Sequence, residues 1–127
     1  MNLEQLFSDF SQQEIERRNK EQAKKAKMHS LRCQWCEDTF KKLSFLMDKG
    51  IKLESHFNTE FPYISIMPHA GWAFIYINSE HVWKEEDLND DTFYIHSNTG
   101  SFPPKSRVGW ESIMKEVSKW VQSIRAL

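Results

Sequence analysis

The chain has 127 residues, of which 13% are aromatic, and a formal net charge of −1 from 17 basic and 18 acidic side chains. Disordered chains combine few aromatic residues with a large net charge, so this composition predicts a folded protein, and the length suits a single domain. The first ten residues carry Glu4 and Asp9 and no apolar signal-peptide core, and no run approaches the ~18 apolar residues of a membrane helix, so we expect a cytoplasmic protein.

The charged residues are segregated along the chain. Residues 11–32 carry seven basic and three acidic groups, and residues 101–127 carry five basic and two acidic groups. Residues 80–91 carry one basic group and six acidic ones. This distribution predicts oppositely charged surfaces, which would steer encounters with a charged partner.

The N-terminal segment is predicted to be helical. It begins with four large apolar side chains at helical spacing: Leu3, Leu6, Phe7 and Phe10. Residues 2–9 are therefore typical of a short amphipathic helix, and Ser11 with Glu14 matches a capping box, which predicts a second helix from about residue 12. Residues 12–48 contain no Gly or Pro, and Gly50 is the first C-terminal signal. The simplest prediction is one helix of about 36 residues, although its continuity stays open.

The two halves of this second helix differ in character. An apolar stripe runs through its C-terminal half: Met28, Leu31, Trp35, Phe40, Leu43 and Met47. Residues 16–27 are charged or amide side chains apart from Ala23 and Ala26. A helix that is polar all round is not held by burial in a core. We therefore expect this stretch to project into solvent, to lie along a partner, or to break into a joint.

After the helical segment, the pattern changes to the period of two that is typical of β-strands. The predicted strands are 51–57, 62–67, 72–78 and 92–96, with 81–83 as a short additional one. Residues 51–57 alternate apolar and polar side chains, which indicates a half-exposed edge strand. Residues 72–78 are apolar on both faces, which predicts a central strand covered on both sides.

The C-terminal segment shows the strongest helical periodicity in the chain. Its apolar residues recur at intervals of three and four: Trp110, Ile113, Met114, Val117, Trp120, Val121 and Ile124. The predicted fold class is α+β in a single domain. It has a long N-terminal helix or helical pair in residues 1–49, a four- to five-stranded antiparallel sheet in 50–105, and a C-terminal amphipathic helix in 106–127 that packs on the sheet.

The residues with metal-binding or redox potential form no recognised motif. Cys33 and Cys36 form a CxxC inside a predicted helix, whereas a redox pair usually lies at a helix N-terminus after a strand, and His29 would give only a third zinc ligand. Packing in a helix face is the main interpretation of the cysteines. Three histidines lie near predicted strand ends without metal-motif spacing: His69, His81 and His96. No phosphate-binding or nucleophile motif is present, so we expect no cofactor, no metal and no enzymatic activity.

The sequence favours a small non-catalytic protein-binding protein of the inhibitor, immunity, antitoxin or adaptor type, which masks a surface of its partner. The candidate contact residues are Leu3, Leu6, Phe7 and Phe10 of the N-terminal helix and Trp83, Glu85, Glu86, Asp87, Asp90 and Asp91 of the acidic segment. A short helix cannot bury four large apolar side chains alone. The N-terminal helices are therefore expected to dock on the core or on another chain, including a second copy in a homodimer.

The alternative function is a nucleic-acid-binding regulator. A row of basic side chains that could contact phosphates follows the first apolar residues: Arg17, Arg18, Lys20, Lys24, Lys25 and Lys27. A solvated helix face would have the same composition, and no recognised DNA- or RNA-reading motif accompanies the row.

Overall fold

The protein has an α+β fold in which a long helix precedes an antiparallel sheet and a second helix follows it, as predicted. The computed structural model describes residues 2–69, 72–82, 84–89, 91–100, 102 and 107–125, with residues 124 and 125 described by their backbone alone. The elements in chain order are α1 (Leu3–Leu43), a 3-10 helix (Ser44–Lys49), β1 (Ile51–His56), β2 (Tyr63–Pro68), β3 (Ile75–Asn78), a 3-10 turn (Glu85–Asp87), β4 (Thr92–Ser97), β5 (Arg107–Gly109) and α2 (Trp110–Arg125).

Helix α1 is continuous from Leu3, so the predicted break before residue 12 is wrong. Its N-cap is Asn2, whose side-chain Oδ1 accepts a hydrogen bond from the amide of Gln5 at 3.2 Å. Ser11 lies inside the helix, and the carboxylate of Glu14 accepts hydrogen bonds from arginine side chains one turn ahead. A capping box marks the start of a helix only if the chain before it is not helical itself. Here no Gly or Pro weakens the preceding turn, so the helix runs through the capping sequence.

The C-terminal end of the helical segment follows the prediction more closely. The α-helix ends at Leu43 and the chain continues as a 3-10 helix to Lys49. Gly50 then adopts a left-handed backbone with φ of 87°, which a residue with a side chain adopts only at a cost. The chain therefore turns directly from the helix into β1.

The five strands form an antiparallel meander in the order β1-β2-β3-β4-β5. Strand β1 pairs with β2 alone, so it is the edge strand that the alternation predicts. The register places Leu53 opposite Ile66 and Ile66 opposite Ile75. Strand β3 is shorter than predicted. Residues 80–81 form a turn and Val82 belongs to no strand, so the additional strand predicted at 81–83 is wrong for the residues described there. The fifth strand is Arg107–Gly109, which pairs with β4 immediately before α2.

One face of the sheet carries the hydrophobic core. Cys36 and Leu43 from α1 and Ile113 and Val117 from α2 belong to the same buried cluster as the inward-facing residues of the strands. Both helices therefore cover the same face of the sheet. No element of the described chain covers the other face, so the prediction that β3 is covered on both sides is wrong for this part of the chain. Of the aromatic residues predicted on its second face, Phe74 and Tyr76 are half-buried. Trp72, which is 55% exposed, instead contacts Trp120 of α2, with ring centroids 6.2 Å apart.

Candidate protein-interaction surfaces

The first part of α1 projects away from the domain. From Asn2 to Lys27 every side chain is exposed except that of Ser11, which is half-buried. We call Leu3–Lys27 the arm, and at 1.5 Å per residue it is about 37 Å long. Projection into solvent is one of the three alternatives expected for the polar stretch, and it extends to the apolar first residues as well, because they continue the same helix.

The end of the arm leaves all four of its large apolar side chains in solvent. Leu3 is 71% exposed, Leu6 40%, Phe7 75% and Phe10 60%. These residues, the arm tip, lie within about two turns on one side of the helix. Contiguous apolar surface of this kind is uncommon on a protein that works alone and is typical of a protein–protein contact.

Side-chain pairs one turn apart stabilise the middle of the arm. Arg17 bonds to Glu14 and, with its Nη1, to the Glu21 Oε1 at 2.6 Å, while the Arg18 Nε lies 3.2 Å from the Glu14 Oε1. The hydrogen bond from Arg17 holds the pKa of Glu14 at about 2, well below its ordinary value. Such pairs each add a few tenths of a kcal/mol to a helix, so the arm depends mainly on its continuity with the packed half of α1.

The predicted basic row is exposed along its whole length: Arg17, Arg18, Lys20, Lys24, Lys25 and Lys27. It is not uniformly positive. Arg17 and Arg18 are engaged with acidic residues of the arm, and the Nζ of Lys27 lies 3.8 Å from the Oε2 of Glu85. Lys20, Lys24 and Lys25 are the members of the row that could meet an external anion without giving up one of these ion pairs.

Two side chains of α1 fix the segment that contains the acidic residues. Arg32 is buried, donates to the backbone carbonyl of Val82, and stacks its guanidinium over Phe61 at 4.8 Å. Burial lowers the pKa of Arg32. The indole Nε1 of Trp35 donates to the backbone carbonyl of Asn89 at 2.8 Å. The acidic segment is therefore held against α1 at both of its ends.

Within the acidic segment, the described acidic residues differ in how far their side chains are exposed to a partner. Glu85, Glu86 and Asp91 are exposed. Asp87 is half-buried: its backbone carbonyl accepts from Arg107 Nη2 at 2.8 Å, and its Oδ1 lies 3.7 Å from Arg107 Nη1. Trp83 and Asp90, which were also predicted to contact a partner, lie outside the described residues.

An open groove of about 620 Å³ separates α1 from the acidic segment. Its α1 wall includes Leu31, Trp35 and Lys42, and its opposite wall includes Glu85 and Leu88. The groove combines apolar walls with charged edges. The arm tip and the described part of the acidic segment are separate surfaces, because the arm tip lies about 25–36 Å along the helix from Lys27, the residue that contacts Glu85.

The uncovered face of the sheet is a further surface that the sequence reasoning missed. Its rings form a contiguous series in which neighbouring centroids are 4.3–5.4 Å apart: His56, Tyr63, Tyr76, Phe74 and His96. A second pair, His81 with Tyr94, is 5.5 Å apart, and Arg107 lies over Tyr94 at 5.0 Å. Aromatic residues at alternate positions of three successive strands were the available signal, but only those of 72–78 enter the prediction, and their face is predicted to be covered.

The cysteines and histidines do not form a metal centre in the part of the chain that the structure describes, where no group of three or more His, Cys, Asp or Glu could hold an ion. Cys36 lies in the core, and burial raises the pKa of its thiol to about 12. The Sγ of Cys33 lies 3.6 Å from the Nε2 of His29. The helix-packing interpretation of Cys36 agrees with its position, since a reactive thiol needs a lowered pKa.

No protein-family model matches the chain, and neither the curated proteins nor the solved structures contain a significant match. Among the described residues, no helix is both long enough and apolar enough to cross a membrane. Function must therefore be inferred from the surfaces of this chain.

Proposed function

We propose that the chain is a small non-catalytic protein-binding protein of the inhibitor, immunity, antitoxin or adaptor type. The exposed arm tip carries this proposal. Leu3, Phe7 and Phe10 are each at least 60% exposed on a helix that projects from the domain. Burying each such side chain in a complex is worth about 1.5–3 kcal/mol, which is the kind of contact that anchors an interface.

The acidic segment would act as a second contact that favours a partner with a basic surface. Glu85, Glu86 and Asp91 are exposed, and the sequence adds Asp90 and Trp83 to the same segment. Charges at the rim of an interface mainly raise the association rate and discriminate between partners. The proposed mode of action is steering by the acidic segment and masking of the partner's surface by the arm.

We further place this activity in the cytoplasm. Cys33 and Cys36 are both free thiols, although they are one helical turn apart. Proteins of oxidising compartments commonly use their cysteines in disulfides, so free cysteines support a reducing compartment.

The experiment is affinity capture of the tagged chain from a lysate of its own source cells at low salt, with the eluate analysed by mass spectrometry before and after nuclease treatment. Phe7→Glu/Phe10→Glu removes the apolar tip. Gln5→Glu/Gln12→Glu adds the same charge on the opposite side of the arm and is the matched control. We expect a stoichiometric protein that survives nuclease and is lost only with the tip variant. Retention of every captured protein by the tip variant would contradict the proposal.

The second candidate is a nucleic-acid-binding regulator that uses the basic row of the arm. The observation that favours it is the exposure of Lys20, Lys24 and Lys25 along the arm. The rings on the open face of the sheet would add surfaces on which bases could stack. This candidate predicts affinity that falls steeply with salt.

Fluorescence anisotropy with labelled single-stranded and duplex oligonucleotides tests this alternative. Lys20→Glu/Lys24→Glu/Lys25→Glu, which reverses the three lysines named above, should abolish binding. Lys41→Glu/Lys42→Glu/Lys49→Glu, which reverses three exposed lysines at the other end of the helical segment, is the control. Equal binding by both triple variants would exclude the basic row as the site.

A further inference from the structure

The side of α1 that carries the arm tip has heptad spacing that continues into the packed half of the helix. Ten residues recur at alternating intervals of four and three: Leu3, Phe7, Phe10, Glu14, Arg17, Glu21, Lys24, Met28, Leu31 and Trp35. On a straight helix this 3.5-residue repeat drifts by about 20° per heptad, and a left-handed supercoil of two helices removes the drift, so the ten residues form a single seam in a coiled coil. The first three are exposed, the middle four are charged, and the last three are half-buried.

We propose that two copies of the chain associate through this seam as an antiparallel coiled coil whose twofold axis lies at residue 19. The inference rests on the proposed function, because it names the partner of the arm as a second copy. The five facing pairs are Leu3 with the partner's Trp35, Phe7 with the partner's Leu31, Phe10 with the partner's Met28, Glu14 with the partner's Lys24, and Arg17 with the partner's Glu21.

The complementarity of the pairs selects this arrangement among the alternatives. Each pair joins two apolar side chains or two opposite charges. A parallel dimer would place Glu14, Arg17 and the other charged seam residues opposite their own copies. Shifting the antiparallel register by one heptad places Phe7 opposite the partner's Lys24 in one direction, or Met28 opposite the partner's Arg17 in the other. Only the register centred on residue 19 leaves no apolar residue facing a charge.

The structure provides room for the partner's arm tip at the receiving end of the seam. Leu31 and Trp35 form part of the α1 wall of the open groove of about 620 Å³. The partner's Leu3 and the partner's Phe7 would enter this groove beside the acidic segment. The arm tip and the groove, which are separate surfaces of one copy, then become two halves of one interface. By symmetry the interface occurs twice in the dimer.

The charged middle of the seam sets the strength and the specificity of the association. Polar residues at seam positions lower the stability of a coiled coil and fix its register. The ion pairs of Arg17 with Glu14 and Glu21 already order these side chains within each helix. Arg18 and Lys20, at the flanks of the seam, would approach their own copies near the axis, but both are exposed, so salt screens their repulsion.

A charge-exchange experiment tests the register. In Glu14→Lys homodimers, two lysines would face each other at each of two equivalent positions, and in Lys24→Glu homodimers two carboxylates would do so. Each variant alone should therefore dimerise about tenfold more weakly than the unmodified chain. When the two variants are mixed, every position again pairs opposite charges, and dimerisation should recover. The readout is the dimer dissociation constant from sedimentation equilibrium, relative to the 15.2 kDa monomer.

Mixing makes the experiment independent of effects within one helix, because each variant helix is the same in the homodimer and in the mixture. Glu16→Lys, the same change on the far side of the arm, is the control and should leave dimerisation unchanged. An unmodified chain that stays monomeric at every concentration would overturn the inference. Variants that are not rescued by mixing would overturn it too. In either case, a different protein captured through the arm tip would leave the proposed function standing.

Discussion

Replacing Phe93 with Ala tests how the core joins both helices to the sheet. Phe93 is 1% exposed and its ring centroid lies 6.1 Å from that of Trp35 in α1 and 4.5 Å from that of Trp110 at the start of α2. It also faces Val108 across the pairing of β4 with β5. The ring is therefore the contact that α1, α2 and the last two strands share.

The expected loss is about 3–5 kcal/mol of unfolding free energy, the usual cost of truncating a buried Phe to Ala. A domain of this size has about 5–15 kcal/mol in total, so the variant should unfold at a much lower urea concentration. Phe45→Ala is the matched control. Phe45 is 48% exposed, so its truncation should cost less than about half as much.

The assay is urea unfolding followed by far-ultraviolet circular dichroism, which does not depend on the fluorescence of the neighbouring tryptophans. A loss below about 1 kcal/mol for Phe93→Ala, or equal losses for both variants, would refute the assignment of Phe93 as the shared core contact.

Three further predictions concern the helices. The pKa of Glu14 should be about 2 by carbon-detected NMR titration, and Arg17→Gln should raise it. Because the pKa is depressed in the folded chain, the ion pairs of Glu14 are fully formed above the ordinary carboxyl pKa and are lost as the pH falls toward 2. A pKa that Arg17→Gln leaves unchanged would refute the hydrogen bond from Arg17 as the cause of the shift. Cys36 should resist alkylation in the native protein while the half-buried Cys33 reacts first, and equal alkylation rates would contradict the burial of Cys36. Because burial raises the pKa of Cys36 to about 12, the free energy of unfolding should fall as the pH rises from about 9 to 12. Gly50→Ala should lower the free energy of unfolding in urea by about 1–2 kcal/mol, because a left-handed backbone disfavours a side chain. Nothing lies within 4 Å of the added methyl, so the loss would come from the backbone alone. An unchanged urea midpoint would show that the loop relaxes.

Local signals were sufficient to predict much of the fold. The left-handed turn at Gly50, the alternation of residues 51–57 and the apolar stripe of α2 each depend on residues close together in sequence, and the structure confirms all three. The fold class follows from their order. Ile124, the last member of the predicted stripe, lies outside the described side chains.

One error came from a local pattern, and the others occurred where distant residues decide the outcome. The capping box at Ser11 is a genuine local pattern, but the helix on each side of it is strong enough to continue. Whether the second face of β3 is covered depends on where α1 and α2 lie, and periodicity carries no such information. Strand β5 has only three residues and forms by pairing with β4, so its own sequence is a weak signal.

The candidate sites also differ in whether residues close together in sequence or distant residues form them. The apolar residues of the arm tip were predicted as a contact surface, and the structure leaves them exposed. The groove was not predictable, because its walls are separated by about fifty residues in sequence and meet only through contacts such as that of Trp35 with Asn89. The heptad seam, in contrast, was visible in the sequence once residues 3–35 are treated as one continuous helix.

Hydrogen exchange of the arm amides as a function of protein concentration tests the central claim most directly. In a single copy, every side chain from Leu3 to Lys27 is exposed apart from the half-buried Ser11, so we expect the amides of this stretch to exchange about as fast as those of an isolated helix. If the arm binds a second copy, protection over residues 3–24 should rise with concentration, and Phe7→Glu/Phe10→Glu should abolish the increase. Protection that stays low at every concentration, or that is equally high in Phe7→Glu/Phe10→Glu, would contradict association through the arm.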